Sequence, residues 1–366
     1  MAMKKLNFKG QMSSYTKSSI ISYGMIIIGF ILITILNSMG LISSSLQGQL
    51  VPICAYIIMS ISLNLVVGIS GELSLGHAGF MAVGAYTGII ISQCLISGGT
   101  SEIIRFVLAI IGGGVAAGIL GFLIGIPVLK LRGDYLAIVT LAFGEIIRNV
   151  MNIVYVGKDV NGLHITTNST KFVLDPASQL IILNGPMGAT GTQKLSTFTA
   201  GVILILITLF IAQNLINSKH GRAIMAIRDN RIAGESIGLS VMRYKMTAFV
   251  ISAMLAGIGG VLFGLNYSTL APLKFRIDTS ILILLFVVLG GIGNIWGGMI
   301  AATVLTVLPE MLRQFADYRM LAYAIVLIIV MICTYNPKIK SHISALFEKI
   351  KKNKKVNSVE GGDVNE

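Results

Sequence analysis

The chain has 366 residues and a mass of 39.0 kDa, is 54% hydrophobic but only 12% charged, and has a mean hydropathy of +0.84. Soluble domains carry about a quarter charged residues, so a soluble enzyme, a secreted disulfide scaffold and a disordered tail protein are excluded. The formal charge of +13 does not indicate a nucleic-acid partner, because the basic residues lie between long apolar runs and do not gather on one polar face. Such a chain reads as an all-α, polytopic integral membrane protein with about ten transmembrane helices (eight to ten), surrounded by a lipid bilayer.

A bilayer-crossing helix needs roughly 20 mostly apolar residues. In chain order, an N-tail over 1–19 leads into a transmembrane domain over 20–336, followed by a Lys-rich C-tail over 337–366. Spans are expected at 20–42, 48–67, 78–97, 103–129, 134–156, 197–217, 246–267, 279–292, 296–314 and 318–336. The first run, Ile20 to Leu36, follows lysines but is long for a signal peptide and no A-x-A-like site follows it, so it reads as an uncleaved anchor. The eighth and ninth spans are short and separated by a glycine cluster, which leaves a re-entrant pair open.

Lys and Arg set the orientation. They crowd the N-tail (Lys4, Lys5, Lys9, Lys17), the C-tail (Lys338, Lys340, Lys349, Lys351, Lys352, Lys354, Lys355), the turn with Lys130 and Arg132, and the loop 218–245. Ten crossings put all four segments and both termini in the cytoplasm, and nine do not; ten leave Arg313 and Arg319 at the outer surface. The segment 157–196 then lies outside. It is too long for a simple connector and reads either as a mobile loop or as a cover over the outer mouth that meets a partner. Cys54, Cys94 and Cys333 all fall in apolar runs without metal-ligand spacing and read as small buried hydrophobes.

Two glycine clusters interrupt the apolar pattern. One carries Gly68, Gly71, Gly76 and Gly79 with Glu72 and His77; the other carries Gly290, Gly291, Gly293, Gly297 and Gly298 with Asn294. Glycine-broken hydrophobic segments in two halves of a chain point to a transport pathway, because irregular backbone at membrane depth is tolerated only where it is buried or lines a wet cavity. The plainer alternative is a pair of tight interhelical turns. Gly114, Gly118, Gly121 and Gly125 on the fourth span form a small-residue face that suits helix packing.

The fifth span carries Glu145, Arg148, Asn149 and Asn152 on one helical face. An ionisable group at mid-bilayer costs about 2.5–3.5 kcal/mol, so this stripe is either an internal salt pair or a lining of the pathway or of a subunit contact. Candidate pathway residues are Gly71, Glu72, Gly76, His77, Glu145, Gly291, Gly293 and Asn294. No Asp/Glu/His relay runs through several spans, which weakens a proton-coupled carrier. Neither a nucleophile–base pair nor a metal cluster recurs, which argues against an enzyme and against a bound metal. No Walker A sequence occurs, so the chain is not expected to bind ATP by that route.

The loop from Ser218 to Lys245 places apolar Ile224, Ile227, Ile232 and Ile237 beside charged residues and stops at Gly238. This predicts a short surface helix or pair of helices, suited to docking in a groove on a cytosolic protein or to lying on lipid headgroups. Asp229 and Glu235 dilute the basic face and favour the protein partner.

Four stretches resemble the permease subunit of branched-chain amino-acid ABC importers, the longer of their two membrane subunits: SLNLVVGISGELSLGHAGFMAVGAY (Ser62–Tyr86), LRGDYLAIVTLAFGEIIRNVMN (Leu131–Asn152), GRAIMAIRDNRIAGESIG (Gly221–Gly238) and VVLGGIGNIWGGMIAA (Val287–Ala302). The resemblance implies a transport subunit in a prokaryotic cell membrane, paired with a related second permease, two cytosolic ATPases that use the ATP, and an extracytoplasmic solute-binding protein. It implies no cofactor on this chain. It also makes Arg222, Ala226, Arg228, Asp229, Glu235 and Gly238 the ATPase-coupling residues, and turns the segment 157–196, with Asn161-Gly162-Leu163, toward the binding protein. Two departures stand out: Gly234 replaces an alanine common in that loop, which loosens a helix by up to ~1 kcal/mol, and Val156–Val160 lacks a Thr-Gly-Gly-like stretch. Importers of urea and short-chain amides share this permease type, and a self-sufficient secondary carrier is the runner-up.

Overall fold

The computed structural model describes residues 23–312 except 25, 41–42, 97–98, 132, 160–161, 169–171 and 173–179, together with 324, 325 and 328. The expected N-tail, the last span 318–336 apart from residues 324, 325 and 328, the C-tail, and Arg132, Asn161, Lys171, Arg313, Arg319 and Cys333 lie outside the described residues. The chain divides into two compact units, Met1–Val307 and Leu308–Glu366. Apart from the last turn of α11, every element below belongs to the first; the described part of the second is that turn and three helical residues.

The helices follow the apolar runs. They are α1 (Ile26–Ser38), α2 (Ser44–Asn64), α3 (His77–Cys94), α4 (Glu102–Val128), α5 (Asp134–Ile153), α6 (Phe198–Asn217), α7 (Lys219–Asp229), α8 (Arg231–Ser236), α9 (Val241–Gly264), α10 (Ile277–Gly290) and α11 (Ile295–Met311). Five of the helical segments are long and apolar enough to cross a membrane, and α1, α10 and α11 are shorter apolar helices. At about 1.5 Å per residue, the 14 residues of α10 span less than a hydrocarbon core of about 30 Å.

Several boundaries differ from expectation, each for a local reason. The second span reaches from Ser44 to Ser70, because the Ser43 hydroxyl caps its start by accepting from Leu46 N–H and six residues of π-helix extend its end. The fifth span stops at Ile153, and Tyr155 and Val156 enter a β-strand. Helix α9 begins at Val241, not 246, so Arg243 and Lys245 belong to it and not to the loop before it.

Helix α2 is the centre of the bundle and α5 its margin: 89% of the apolar window of the first is buried and 28% of that of the second. Tyr86, Phe249, Phe275 and Phe286 fill the core. The predicted α4 glycine face packs on α9, where a Cβ on Gly121 would sit 2.5 Å from Ala253 Cβ and one on Gly125 2.7 Å from Met246 Sδ. Large apolar side chains on the opposite face of α4, Ile103, Ile111, Ile119 and Phe122 among them, are exposed, as suits contact with lipid. Cys54 is buried and Cys94 only partly so.

The two ends of the bundle differ in chemistry. At one, β1 (Tyr155–Asp159), β2 (Gly162–Thr166) and β3 (Leu180–Asn184) form an antiparallel sheet in the order β2-β1-β3. It is tied to the helices: Lys158 Nζ donates to the Cys94 carbonyl at 2.8 Å, Arg105 Nη2 to Gln193 Oε1 at 2.8 Å, and Ala189 and Leu270 exchange backbone bonds of 3.1 and 2.9 Å. The described part of 157–196 is therefore folded as this sheet and its connections. The other end carries α7, α8, the 71–76 segment and the turn before α5.

Candidate coupling and translocation site

The loop after α6 folds as a helix pair because each helix has a polar cap. The Ser218 hydroxyl accepts from Gly221 N–H at 3.0 Å to start α7, and Asn230 Oδ1 accepts from Ala233 N–H at 3.0 Å to start α8. Ile224 and Ile227 are buried against the bundle, whereas Ile232 and Ile237 are 78% and 74% exposed. Gly238, at φ +85°, ends α8. Gly234 has a packing role: a Cβ there would lie 3.2 Å from Ile227 Cγ1, so the glycine allows α8 to close on α7. Of the predicted coupling residues, Arg222 donates to the Asn217 carbonyl at 2.9 Å, Glu235 pairs with Arg231 at 2.9 Å, and Ala226 is exposed.

Arg228 reaches out of the loop. Its Nη1 donates to the Gly68 carbonyl at 2.7 Å, while Nε and Nη2 hold Asp229 Oδ1 at 3.0 and 2.8 Å. The acceptor is available because Gly68 lies in the last turn before Gly71, where helix carbonyls lack intrahelical partners; here α2 has left α geometry at Leu65 and runs to Ser70 as π-helix. In an unbroken α-helix the Glu72 N–H would go to Gly68; here it goes to Val66 at 3.1 Å, and Gly71 ends the segment at φ +73°. A Cβ on Gly71 would lie 2.6 Å from Arg228 Cγ, so no side chain fits there. Beside it, Glu72 pairs with Lys245, the two side chains 11% and 14% exposed. Hydrogen bonds to charged groups contribute about 1.5–3 kcal/mol, so two such links fasten the helix pair and the start of α9 to the first glycine break. A cleft of about 280 Å³ beside them is lined by Gly71, Glu72, Leu73, Gly133, Asp134, Arg231 and Lys245.

The second break meets the first. Gly291 and Gly293 adopt φ +91° and +84°, Asn294 N–H closes the turn on the Gly291 carbonyl at 2.9 Å, and Gly293 N–H donates to Asn64 Oδ1 at 3.0 Å. A side chain on Gly68 would stand 2.6 Å from Gly293 N. Around this contact α2 and the start of α3 bury Ser60, Ser62, Asn64, Ser70, Ser74 and His77. His77 Nε2 bonds the Ser62 hydroxyl at 2.8 Å, a structural role. Asn64 Nδ2, Ser70 Oγ, Ser74 Oγ and His77 Nδ1 are buried without a hydrogen-bond partner. Orphaned polar groups are costly and uncommon in packed interiors, so four within one stretch mark it as unusual.

The remaining predicted residues fall elsewhere. Gly76 packs on α5, with a Cβ on Gly144 only 3.2 Å from Gly76 Cα, so its part here is close helix contact. Glu145 stands apart from both breaks. It pairs with Arg148 at 2.7 Å and accepts from Ile277 N–H at 3.2 Å, so the carboxylate sits at the positive N-terminal end of the short helix α10. Arg148 Nη2 also donates to Asn149 Oδ1 at 3.1 Å. The pair is 31% and 17% exposed on the least buried long helix.

Asn64 and Lys245 were not among the predicted site residues. Asn64 has a signal, a carboxamide in the apolar run Ser60–Leu65; as a sequence, Lys245 is only one of the basic residues of the loop, with an orienting or docking role.

The chain is similar to known proteins over most of its length. A family model described as the permease component of branched-chain amino acid transport systems matches residues 45–334. The high-affinity branched-chain amino acid transport system permease protein LivM of Escherichia coli K12 is 36% identical over 300 residues, 76% of this chain and 66% of the relative. The probable LivM of Methanocaldococcus jannaschii is 27% identical over 72% of this chain and 81% of its own length, and LivH of Salmonella typhimurium is 23% identical over 76% and 89%. The chain thus spans just under two thirds of the length of the bacterial LivM proteins. No solved structure matches it.

Proposed function

For a chain that belongs to the permease-component family of branched-chain amino acid transport systems, we propose the role of a membrane subunit in an ATP-driven importer of leucine, isoleucine and valine. It is a multi-pass membrane protein and a transport subunit in kind. In the proposed arrangement it crosses a prokaryotic inner membrane ten times with both termini in the cytoplasm, pairs with a related second permease, and takes solute from an extracytoplasmic binding protein at the sheet end. Separate ATPases supply the energy.

The observation that carries this reading is the helix pair α7–α8. It is seated on the bundle through Ile224 and Ile227, fastened to the first glycine break through Arg228, and still presents Ile232 and Ile237 uncovered. An amphipathic helix with free apolar anchors suits a groove on a cytosolic subunit. The solute path is assigned to the marginal face of α5 and the start of α10. There an ion pair meets the N-terminal end of a short apolar helix on the least buried long helix, and a second permease facing this side would enclose them.

The test is the double variant Ile232→Glu with Ile237→Glu in the complete importer. Loss of ATPase co-purification and of ATP-dependent leucine uptake, with the chain still inserted, is expected. Full uptake with ATPases bound contradicts the reading, and uptake driven by an ion gradient without any ATPase would establish a secondary carrier.

A further inference from the structure

At the basic end, three segments far apart in the chain converge at Gly68. The Gly68 oxygen accepts from Arg228 of α7 at 2.7 Å and lies 3.7 Å from where a Cβ on Gly293 would stand. Gly293 is in turn held by Asn64, one turn before Gly68 on α2. Bare backbone at Gly68 and Gly71 makes this approach possible, since side chains there would meet Gly293 N and Arg228 Cγ, each at 2.6 Å.

A π segment carries one residue more than the α-helix it interrupts. Tightening it to α geometry turns what lies beyond by about 100° and advances it by about 1.5 Å, the helical repeat of one residue. The bond that the α register requires is Glu72 N–H to the Gly68 carbonyl. In this structure the N–H is taken by Val66 and the carbonyl by Arg228. Arg228 therefore occupies the acceptor that the alternative register needs, and it does so from the helix pair that faces the cytosol.

We infer that Arg228 is a positioning residue, a latch that holds the end of α2 in its π register while α7 is seated and releases it when α7 is displaced. On release the Gly68 carbonyl takes the Glu72 N–H, α2 tightens, and the polar groups between Ser70 and His77 turn relative to Gly293. Movement of the helix pair thereby reaches both glycine breaks through a single hydrogen bond. The inference rests on the reading of α7–α8 as the element that meets the ATPases. It adds the residue and the backbone change by which that element acts.

The experiment uses the full chain in lipid nanodiscs, with Cys54, Cys94 and Cys333 replaced by alanine and a single cysteine at Ser70, a position 4% exposed. Thiol labelling of Ser70→Cys is expected to be slow in the parent and about tenfold faster with Arg228→Met, the factor expected for losing one charge-assisted hydrogen bond. Arg228→Lys, which keeps a cationic donor, restores slow labelling. A cysteine at Ser252, 0% exposed, must stay unlabelled throughout to show an intact bundle. If Arg228→Met exposes Ser252 as well, Asp229→Ala, which removes the acceptor of two of the guanidinium's bonds, is expected to give an intermediate rate.

Unchanged Ser70 labelling in a folded variant overturns the latch. In the assembled importer, leucine taken up per ATP hydrolysed should fall about tenfold with Arg228→Met and recover with Arg228→Lys; an unchanged ratio overturns the transmission. A parent importer without ATP-driven uptake would sink the ATPase reading alone, because the labelling does not depend on it.

Discussion

Two glycine-rich contacts in this bundle look alike in sequence and behave oppositely. On the α4–α9 seam, glycines sit in unbroken helix with ordinary negative φ and serve as missing side chains; Gly257 receives Ala117, whose Cβ would lie 2.5 Å from its own. At the Gly68–Gly293 contact the ladder is broken, Gly71, Gly291 and Gly293 take positive φ, and the backbone groups so released are met by Asn64 and Arg228. The seam uses glycine for proximity. The break uses it to offer backbone donors and acceptors to side chains, one of which belongs to α7. Glycine count is therefore a weak guide to function; an interrupted ladder with a polar partner is a strong one.

The contrast can be broken at either side. The largest effect is expected from Gly257→Leu, which drives a side chain into Ala117 and the Gly113 backbone. Overpacking of this kind costs about 3 kcal/mol, and the thermal midpoint of the purified chain should drop while uptake per folded molecule stays the same. Lys245→Met should cost somewhat less, about 2 kcal/mol, because Glu72 is left unpaired in a site that keeps some exposure and so falls below the full penalty for a buried pair. Combining Glu72→Lys with Lys245→Glu should recover most of the loss in a double-mutant cycle.

Asn64→Leu is expected to cost about 0.5–1.5 kcal/mol, the net value of its bond to the exposed Gly293 N–H. Unlike the seam variant, it should lower uptake per folded molecule. The smallest effect belongs to Gly234→Ala. The gain in helix propensity, up to about 1 kcal/mol, is opposed by the 3.2 Å approach to Ile227, so chemical denaturation should shift little in either direction.

Much of this organisation was legible in the sequence. Apolar runs located the long helices from α2 to α11 to within about five residues, the glycine spacing on α4 announced a packing face, and the charged loop announced one or two surface helices. Glu145 and Arg148 paired as their i, i+3 spacing implied. What stayed hidden depended on distance in the chain. Nothing near Gly68 indicates that Arg228, 160 positions away, would claim its carbonyl. A π turn has no residue signature apart from the glycine that tolerates it. Nor could spacing show that Glu145 would cap α10, because that contact is made only once α5 and α10 are packed together. The sheet was missed because its strands are short and lie just after a long helical run.

The central claim is that the break moves with the energy source and the seam does not. Amide hydrogen exchange on the assembled importer, compared between the nucleotide-free state and a state trapped with ATP, tests it directly. The account predicts that exchange changes at Leu65–Glu72 and at Gly291–Asn294 and stays constant along Gly113–Gly125 and Ala253–Gly260. Equal change in both regions, or change confined to the seam, would contradict it.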